Sequence, residues 1–139
     1  MNERINDKIV EIEEFLDFLS KRIPKTLEEY KKDLEKKAFC ERYAEKIIEA
    51  VVDLAFLIAK SINLEIPAQS SDYDIFDILA EKGIITKELA NKLKEAKGMR
   101  NIIAHEYGKI NDEIVYEAIS EQLIEDIGEF IKSTSRAIK

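Results

Sequence analysis

The sequence predicts an all-α protein, an antiparallel up-and-down bundle of four main helices plus one short helix. Apolar residues recur at helical spacing through almost the whole chain, and no stretch alternates apolar and polar residues as a strand does. The 139 residues include only four Gly and two Pro, which is little material for the turns of an all-β fold. No repeat or interdomain linker is visible, so we expect a single domain over residues 1–139.

An amphipathic stripe predicts the first helix. Its members follow one another at steps of four, three, four and three residues: Ile5, Ile9, Ile12, Leu16 and Leu19. Pro24 closes this helix, because the residue before a proline avoids the α conformation. The next helix begins at Thr26, which forms a capping box with Glu29.

From Thr26 to about Ile62 we expect one long helix, because this stretch contains no Gly or Pro and keeps its apolar periodicity. Its second half, IIEAVVDLAFLIA, is apolar nearly all round. A helix of that kind is buried, either at the centre of the bundle or at an interface.

Local signals divide the rest of the chain. Pro67 lies in a predicted loop, and a short helix is expected over residues 72–81, ended by Gly83 in the C′ position. Thr86 caps the fourth helix, and the last helix begins at Asn111.

Composition restricts the function classes. The chain has 22 Lys and Arg against 29 Asp and Glu, a net charge of −7, so any nucleic-acid site must be local or concentrated by dimerisation. One His and one Cys, Cys40, cannot form an internal disulfide or a four-ligand zinc site, and no metal or cofactor is expected. The opening MNERINDK has no apolar segment of the secretory type, and no apolar run approaches a membrane span. We therefore expect a cytoplasmic protein that does not contact a membrane.

One segment, GMRNIIAHEYG at residues 98–108, carries an unusual set of polar groups. On a helix of 100° per residue with Arg100 at 0°, Asn101 lies at about 100°, His105 at about 140° and Tyr107 at about −20°. These polar groups share one sector, while the opposite sector is expected to face the core: Met99, Ile102 and Ile103. Asn101 and His105 are an i, i+4 pair, a spacing that allows a hydrogen bond between them.

Arg100 and His105 suit the cleavage of an RNA phosphodiester without a metal. The guanidinium matches a phosphate, and the imidazole exchanges a proton near neutral pH. Such a reaction needs two acid–base groups, which a symmetric dimer supplies by placing a second His105 in the same cleft. The spacing is equally compatible with a hydrogen-bonded structural His and a salt-bridged Arg, so the residues alone leave both interpretations open.

The segment from Arg100 to Tyr107 resembles the R-x-x-x-x-H-x-Y motif of HEPN-domain proteins, specifically the HepT-type toxins. Other parts of the chain are similar to that family as well: Glu41 and Arg42 with the apolar stretch that follows, and residues 74–79 and 89–93. The resemblance covers roughly residues 3–131.

The resemblance implies a homodimeric, metal-independent endoribonuclease that acts as the toxin of a toxin–antitoxin pair. Arg100 and His105 would be its catalytic residues, and Asn101 matches the polar residue that follows the arginine. Arg42 would lie near the cleft and help to hold phosphate. Tyr107 matches the tyrosine that the partner, a small nucleotidyltransferase of the MntA type, modifies with AMP to silence the toxin.

Two alternatives remain open at this point. The same face would also suit a non-catalytic module that binds a nucleotide or RNA and partners a nucleotidyltransferase. The other alternative is a purely structural helical dimer in which this face, including Arg42, is simply solvated.

Overall fold

Helices make up most of the protein. The computed structural model describes residues 2–71, 74–105 and 110–138, in which α-helices and one π-helical segment occur but no strand. The helices are α1 (Glu3–Ser20), α2 (Leu27–Lys32), α3 (Leu34–Ser61), α4 (Asp74–Glu81), α5 (Lys87–His105), α6 (Asp112–Glu117) and α7 (Ile124–Ala137). The π-helical segment Ala118–Leu123 joins α6 and α7 into one continuous helical run. The predicted all-α fold is confirmed.

The prediction of one unbroken helix from Thr26 to Ile62 is wrong, because the chain turns at Asp33. The backbone of Asp33 is extended, with φ of −89° and ψ of 91°, and its carboxylate accepts a hydrogen bond from the backbone N–H of Lys36 at 3.1 Å. Asp33 therefore ends α2 and caps the N-terminus of α3. As a result, two short helices, α2 and α4, accompany the longer ones in the described part of the chain.

The predicted caps of three helices, at Thr26, Thr86 and Asn111, agree with the structure. The side-chain oxygens of Thr26, Thr86 and Asn111 each accept a hydrogen bond from the backbone N–H three residues later, at 3.1, 3.0 and 3.2 Å. Each of them thus satisfies a backbone donor at the start of a helix. Gly83 follows α4 with φ of +75°, a left-handed conformation that glycine adopts without steric strain.

The centre of the bundle is α3, which packs against α1, α2, α4 and α5. Its buried residues run along the whole helix: Cys40, Ala44, Ile47, Ile48, Ala50, Val51, Val52, Leu54, Ala55, Ile58 and Ala59. The apolar stretch in its second half is therefore core. In the part of the chain that the structure describes, no helix is long and apolar enough to span a membrane.

Candidate active site

Arg100 lies near the end of α5 with its side chain directed into the bundle. The side chain is only 18% exposed. Leu93 and Lys97, which precede it on the same face of the helix, are buried as well. Since α5 packs on α3, this face places Arg100 against the central helix rather than in open solvent.

Two acceptors hold the Arg100 guanidinium. Nη2 donates to Oε1 of Glu49 on α3, and Nη1 donates to Oδ1 of Asn101 at 3.2 Å. The Nε atom is buried and has no acceptor among the described residues. Charge-assisted hydrogen bonds are stronger than neutral ones, so the contacts fix the plane of the guanidinium in the free protein.

The orientation of α5 differs in part from the one expected from the helical wheel. Ile103 is 4% exposed and lies in the core, and Met99 packs against the core from the side, both as expected. The expectation for Ile102 is wrong, because its side chain is 42% exposed. The buried sector of α5 is instead centred closer to Arg100, on the side of the helix that buries Leu89 and Leu93, and Arg100 pairs there with the half-exposed Glu49 of α3.

His105 is the last residue of α5 and is exposed. It follows Arg100 by five residues, which places it about 7.5 Å further along the helix axis and about 140° around it. The structure therefore brings Arg100 together with Asn101 and Glu49, whereas the imidazole faces solvent from another side of the same helix. An exposed imidazole is accessible to a substrate or to a second protein chain.

Arg42 lies on the outer face of α3, and its side chain is 62% exposed. Its Nη1 atom is 3.7 Å from Oε2 of Glu45, which is one helical turn before Glu49 on α3. The two arginines predicted for the site thus contact neighbouring carboxylates of one helix. Seven residues separate Arg42 from Glu49, so the two lie about 10.5 Å apart along the helix axis.

The predicted modification site, Tyr107, lies outside the described residues. In residues 2–71, 74–105 and 110–138, no group of three or more His, Cys, Asp and Glu side chains is placed to hold a metal ion.

Glu49 is a site residue that the sequence analysis missed. The signal was present in the sequence, because Glu49 is one of two carboxylates, with Asp53, that interrupt the apolar stretch IIEAVVDLAFLIA. A charged residue within such a stretch needs a partner or an exposed position. Glu49 contacts Arg100, while Asp53 is 63% exposed and lies 3.8 Å from the Lys8 amine.

A second polar cluster lies where α2 and α3 meet α6. Tyr30 is fully buried, and its hydroxyl has no hydrogen-bond partner among the described residues. Burial raises the pKa of the Cys40 thiol to about 11, so this cysteine is a core residue and not a thiolate nucleophile. Burial also raises the pKa of the Glu41 carboxyl, and Asp112 adds to the effect. Lys37 crosses from α3 to α6 and donates to Oδ2 of Asp112 at 3.0 Å.

Comparisons with known proteins identify the family. The family described as "Ribonuclease HepT-like" matches residues 5–134. An mRNA nuclease HepT of Shewanella oneidensis is 37% identical over 87 residues, which is 63% of this chain and 63% of the relative. A tRNA nuclease HepT of Aphanizomenon flos-aquae is 29% identical over 116 residues, covering 84% of this chain and 78% of that protein. The chain thus spans a little under two thirds of the first of these relatives.

A solved structure is similar over nearly the full length. The tri-AMPylated HEPN toxin of Shewanella oneidensis, in complex with its MNT antitoxin, superposes with a TM-score of 0.87 at 29% identity. The match covers 98% of this chain and 99% of that one. The fold and the family match define a HEPN-type helical protein. The chain belongs to the HepT-like ribonuclease family.

Proposed function

We propose that this protein is the ribonuclease toxin of a HepT/MntA-type toxin–antitoxin pair and cleaves RNA without a metal. The observation that carries the proposal is the Arg100 guanidinium, which Glu49 and Asn101 hold on the same helix that ends at the exposed His105. A pre-oriented cation stabilises charge that develops on a phosphate without reorganising during the reaction. The names of the relatives, mRNA nuclease and tRNA nuclease, support the same chemistry.

The proposed reaction is a transesterification at phosphorus. His105 takes the proton of a 2′-hydroxyl, and the 2′-oxygen forms a bond to the adjacent phosphorus. Arg100 stabilises the added negative charge on the phosphoryl oxygens. The bond from phosphorus to the 5′-oxygen breaks, and that oxygen takes a proton from a second imidazole, which is in its protonated imidazolium form. The products are a 2′,3′-cyclic phosphate and a 5′-hydroxyl.

The second imidazole comes from a second copy of the chain. The chain has one His, so one protomer cannot supply both the base and the acid. Ile102 on α5 and Ile114 on α6 are 42% and 61% exposed, and we propose that both contribute to this interface. Met99 lies one turn before Ile102 on α5. Together with Ile114 it lines a cavity of about 240 Å³. A homodimer through this surface would place two His105 residues at one cleft.

The antitoxin would silence the toxin through Tyr107. The similar Shewanella toxin carries AMP and is bound to an MNT antitoxin. Tyr107 follows His105 by two residues, so an anionic adduct there would repel and obstruct an RNA phosphate at the site. We propose that a minimal nucleotidyltransferase transfers AMP from ATP to the Tyr107 hydroxyl, releasing pyrophosphate. Arg42 would assist RNA binding from α3.

The test of the ribonuclease is cleavage of labelled tRNA and mRNA in EDTA by the wild type and by His105→Ala, both confirmed as folded by circular dichroism. We expect the wild type to cut and the variant to be inactive, because general acid–base catalysis is lost. Equal cutting by both proteins would contradict the role of His105. RNA binding without cutting, by a wild type that intact mass shows to be unmodified, would favour the non-catalytic binding module.

The role of Tyr107 needs its own experiment. The purified nucleotidyltransferase and ATP should add the mass of AMP to the wild type but not to Tyr107→Phe. No mass gain on the wild type, or the same gain on the variant, would contradict the proposal that Tyr107 is the residue modified with AMP.

A further inference from the structure

The outer face of the α1–α3 pair carries an aromatic cluster, made of Phe15 and Phe18 from α1 and Phe39 and Tyr43 from α3. Tyr43 lies at its centre. The ring centroids of Phe39 and Tyr43 are stacked at 4.4 Å, and those of Phe15 and Phe18 are 5.7 and 6.1 Å from Tyr43. All four side chains retain some exposure to solvent, and Phe18 is 44% exposed.

Two cations lie over these rings. The Arg22 guanidinium is 5.4 Å from the centre of the Phe18 ring and 5.2 Å from that of Phe39. The Lys46 amine is 5.6 Å from the centres of both Phe15 and Tyr43. Each cation thus contacts one ring from each helix.

Arg22 and Lys46 have no carboxylate within ion-pair distance in the part of the chain that the structure describes. The nearby Asp17 carboxylate is itself paired with Lys21 at 3.0 Å. Although the chain carries a net charge of −7, this patch therefore presents positive charge over aromatic rings.

The aromatic cluster is continuous with the Arg100 site along α3. At 100° per residue, Arg42 and Lys46 lie on the face of the helix between Tyr43 and Glu49, the partner of Arg100. Tyr43 and Glu49 are six residues apart, a rise of about 9 Å. Along the helix axis, this rise corresponds to the length of roughly two to three stacked nucleotides at 3.4 Å each.

We infer that the aromatic cluster is a base-stacking subsite for single-stranded RNA whose backbone follows α3 to Arg100. Aromatic rings stack on bases of any sequence, and cations beside them pair with the phosphates. A protein interface is a weaker fit, because interface cores are depleted in lysine and Lys46 covers two of the rings. This inference rests on the proposed function, because it assigns RNA as the ligand of the whole face.

The test is the affinity of His105→Ala for a short labelled single-stranded RNA, measured with and without an added Phe18→Ala or Lys46→Gln change. Phe18 is exposed enough to be truncated without opening the core. We expect Phe18→Ala to weaken binding about 10-fold, which is within the range for one lost base–aromatic stack. Lys46→Gln should also weaken binding and should reduce its dependence on salt, because one phosphate contact is lost. A duplex of the same sequence should bind equally with and without Phe18→Ala, because its bases cannot reach the rings.

Matched controls are Leu34→Ala and Lys60→Gln, an exposed apolar residue and an exposed lysine at the two ends of α3. Neither should change the affinity. The inference is overturned if Phe18→Ala and Lys46→Gln bind single-stranded RNA as tightly as the controls do. It is also overturned if the parent His105→Ala protein does not bind single-stranded RNA. A Phe18→Ala protein that loses dimerisation or antitoxin binding but keeps its RNA affinity would overturn it in favour of a protein interface.

Because His105→Ala is used for binding, this result is independent of cleavage. If RNA affinity depends on Phe18 but the wild type does not cut RNA, the base-stacking subsite is retained and the ribonuclease proposal is rejected. If the wild type cuts RNA and Phe18→Ala leaves its KM unchanged, the ribonuclease proposal is retained and the subsite is rejected.

Discussion

Arg100 of α5 and Glu49 of α3 form an ion pair that crosses between two helices of the bundle. Asn101 completes the arrangement from the same helix as Arg100, at 3.2 Å from Nη1. The guanidinium is mostly buried, while Glu49 is 45% exposed. The arginine predicted to stabilise the transition state is thus oriented by a residue more than fifty positions earlier in the chain.

Glu49 is therefore expected to be a positioning residue for catalysis. Glu49→Ala should lower kcat for RNA cleavage about 10-fold and leave KM nearly unchanged, because about 1.4 kcal/mol of charge-assisted hydrogen bonding is lost in the transition state. Glu49→Gln, which keeps an acceptor oxygen, should recover part of that loss. Steady-state kinetics with a labelled RNA measure both constants.

Asp53→Ala provides the control, because this carboxylate lies one turn further along α3 and contacts Lys8 instead. It should behave as the wild type does. Equal kinetics for Glu49→Ala and Asp53→Ala would mean that Arg100 needs no support from α3.

The buried Tyr30 hydroxyl gives a prediction about stability. Tyr30→Phe should leave the free energy of unfolding unchanged or raise it by up to about 1 kcal/mol, because the substitution removes a buried donor that has no described partner. Tyr116→Phe should instead lower it by about 1 kcal/mol, because the Tyr116 hydroxyl donates to the carbonyl oxygen of Pro24 at 2.6 Å. Urea unfolding followed by circular dichroism compares the two variants, and a larger loss for Tyr30→Phe would show that its hydroxyl is paired.

The raised pKa of the Glu41 carboxyl predicts that the stability of the protein depends on pH. Burial raises the pKa of its carboxyl above the ordinary value of 4.5, so folding favours the neutral form. Its contribution to stability is complete below about pH 4.5 and is lost as the pH rises through the folded-state pKa. Glu41→Gln should therefore stabilise the protein at pH 7, and the gain should shrink toward pH 4.

Unfolding midpoints across this pH range measure the effect. Glu65→Gln removes one negative charge from the exposed loop after α3 and controls for net charge. A gain for Glu41→Gln that is the same at pH 4 and pH 7, or that Glu65→Gln matches, would contradict the assignment to burial.

Local signals in the sequence predicted the fold well. Capping at Thr26, Thr86 and Asn111 depends on residues within one turn, and the left-handed turn at Gly83 depends on a single residue type. The break at Asp33 was missed because apolar spacing continues across it. The extended backbone of Asp33 and the hydrogen bond from the Lys36 N–H to its carboxylate show that a new helix starts there.

The site was harder to predict because its geometry depends on contacts between distant residues. A helical wheel gives the angles between Arg100, Ile102 and His105 but not which angle faces the neighbouring helix. The packing of α5 on α3 sets that orientation, and the pairing of Glu49 with Arg100 follows from it. Ile102 was placed in the core for the same reason, although it is 42% exposed.

The most direct test of the central claim is the chemistry of the cleaved ends. RNA cut by the wild type in EDTA is analysed by mass spectrometry, beside the same RNA with a 2′-deoxy nucleotide at the mapped cleavage position. We predict a 2′,3′-cyclic phosphate and a 5′-hydroxyl from the first RNA and no cut at that position in the second, because His105 acts on the 2′-hydroxyl. Products with a 5′-phosphate, or cleavage at the 2′-deoxy position, would contradict the proposed mechanism.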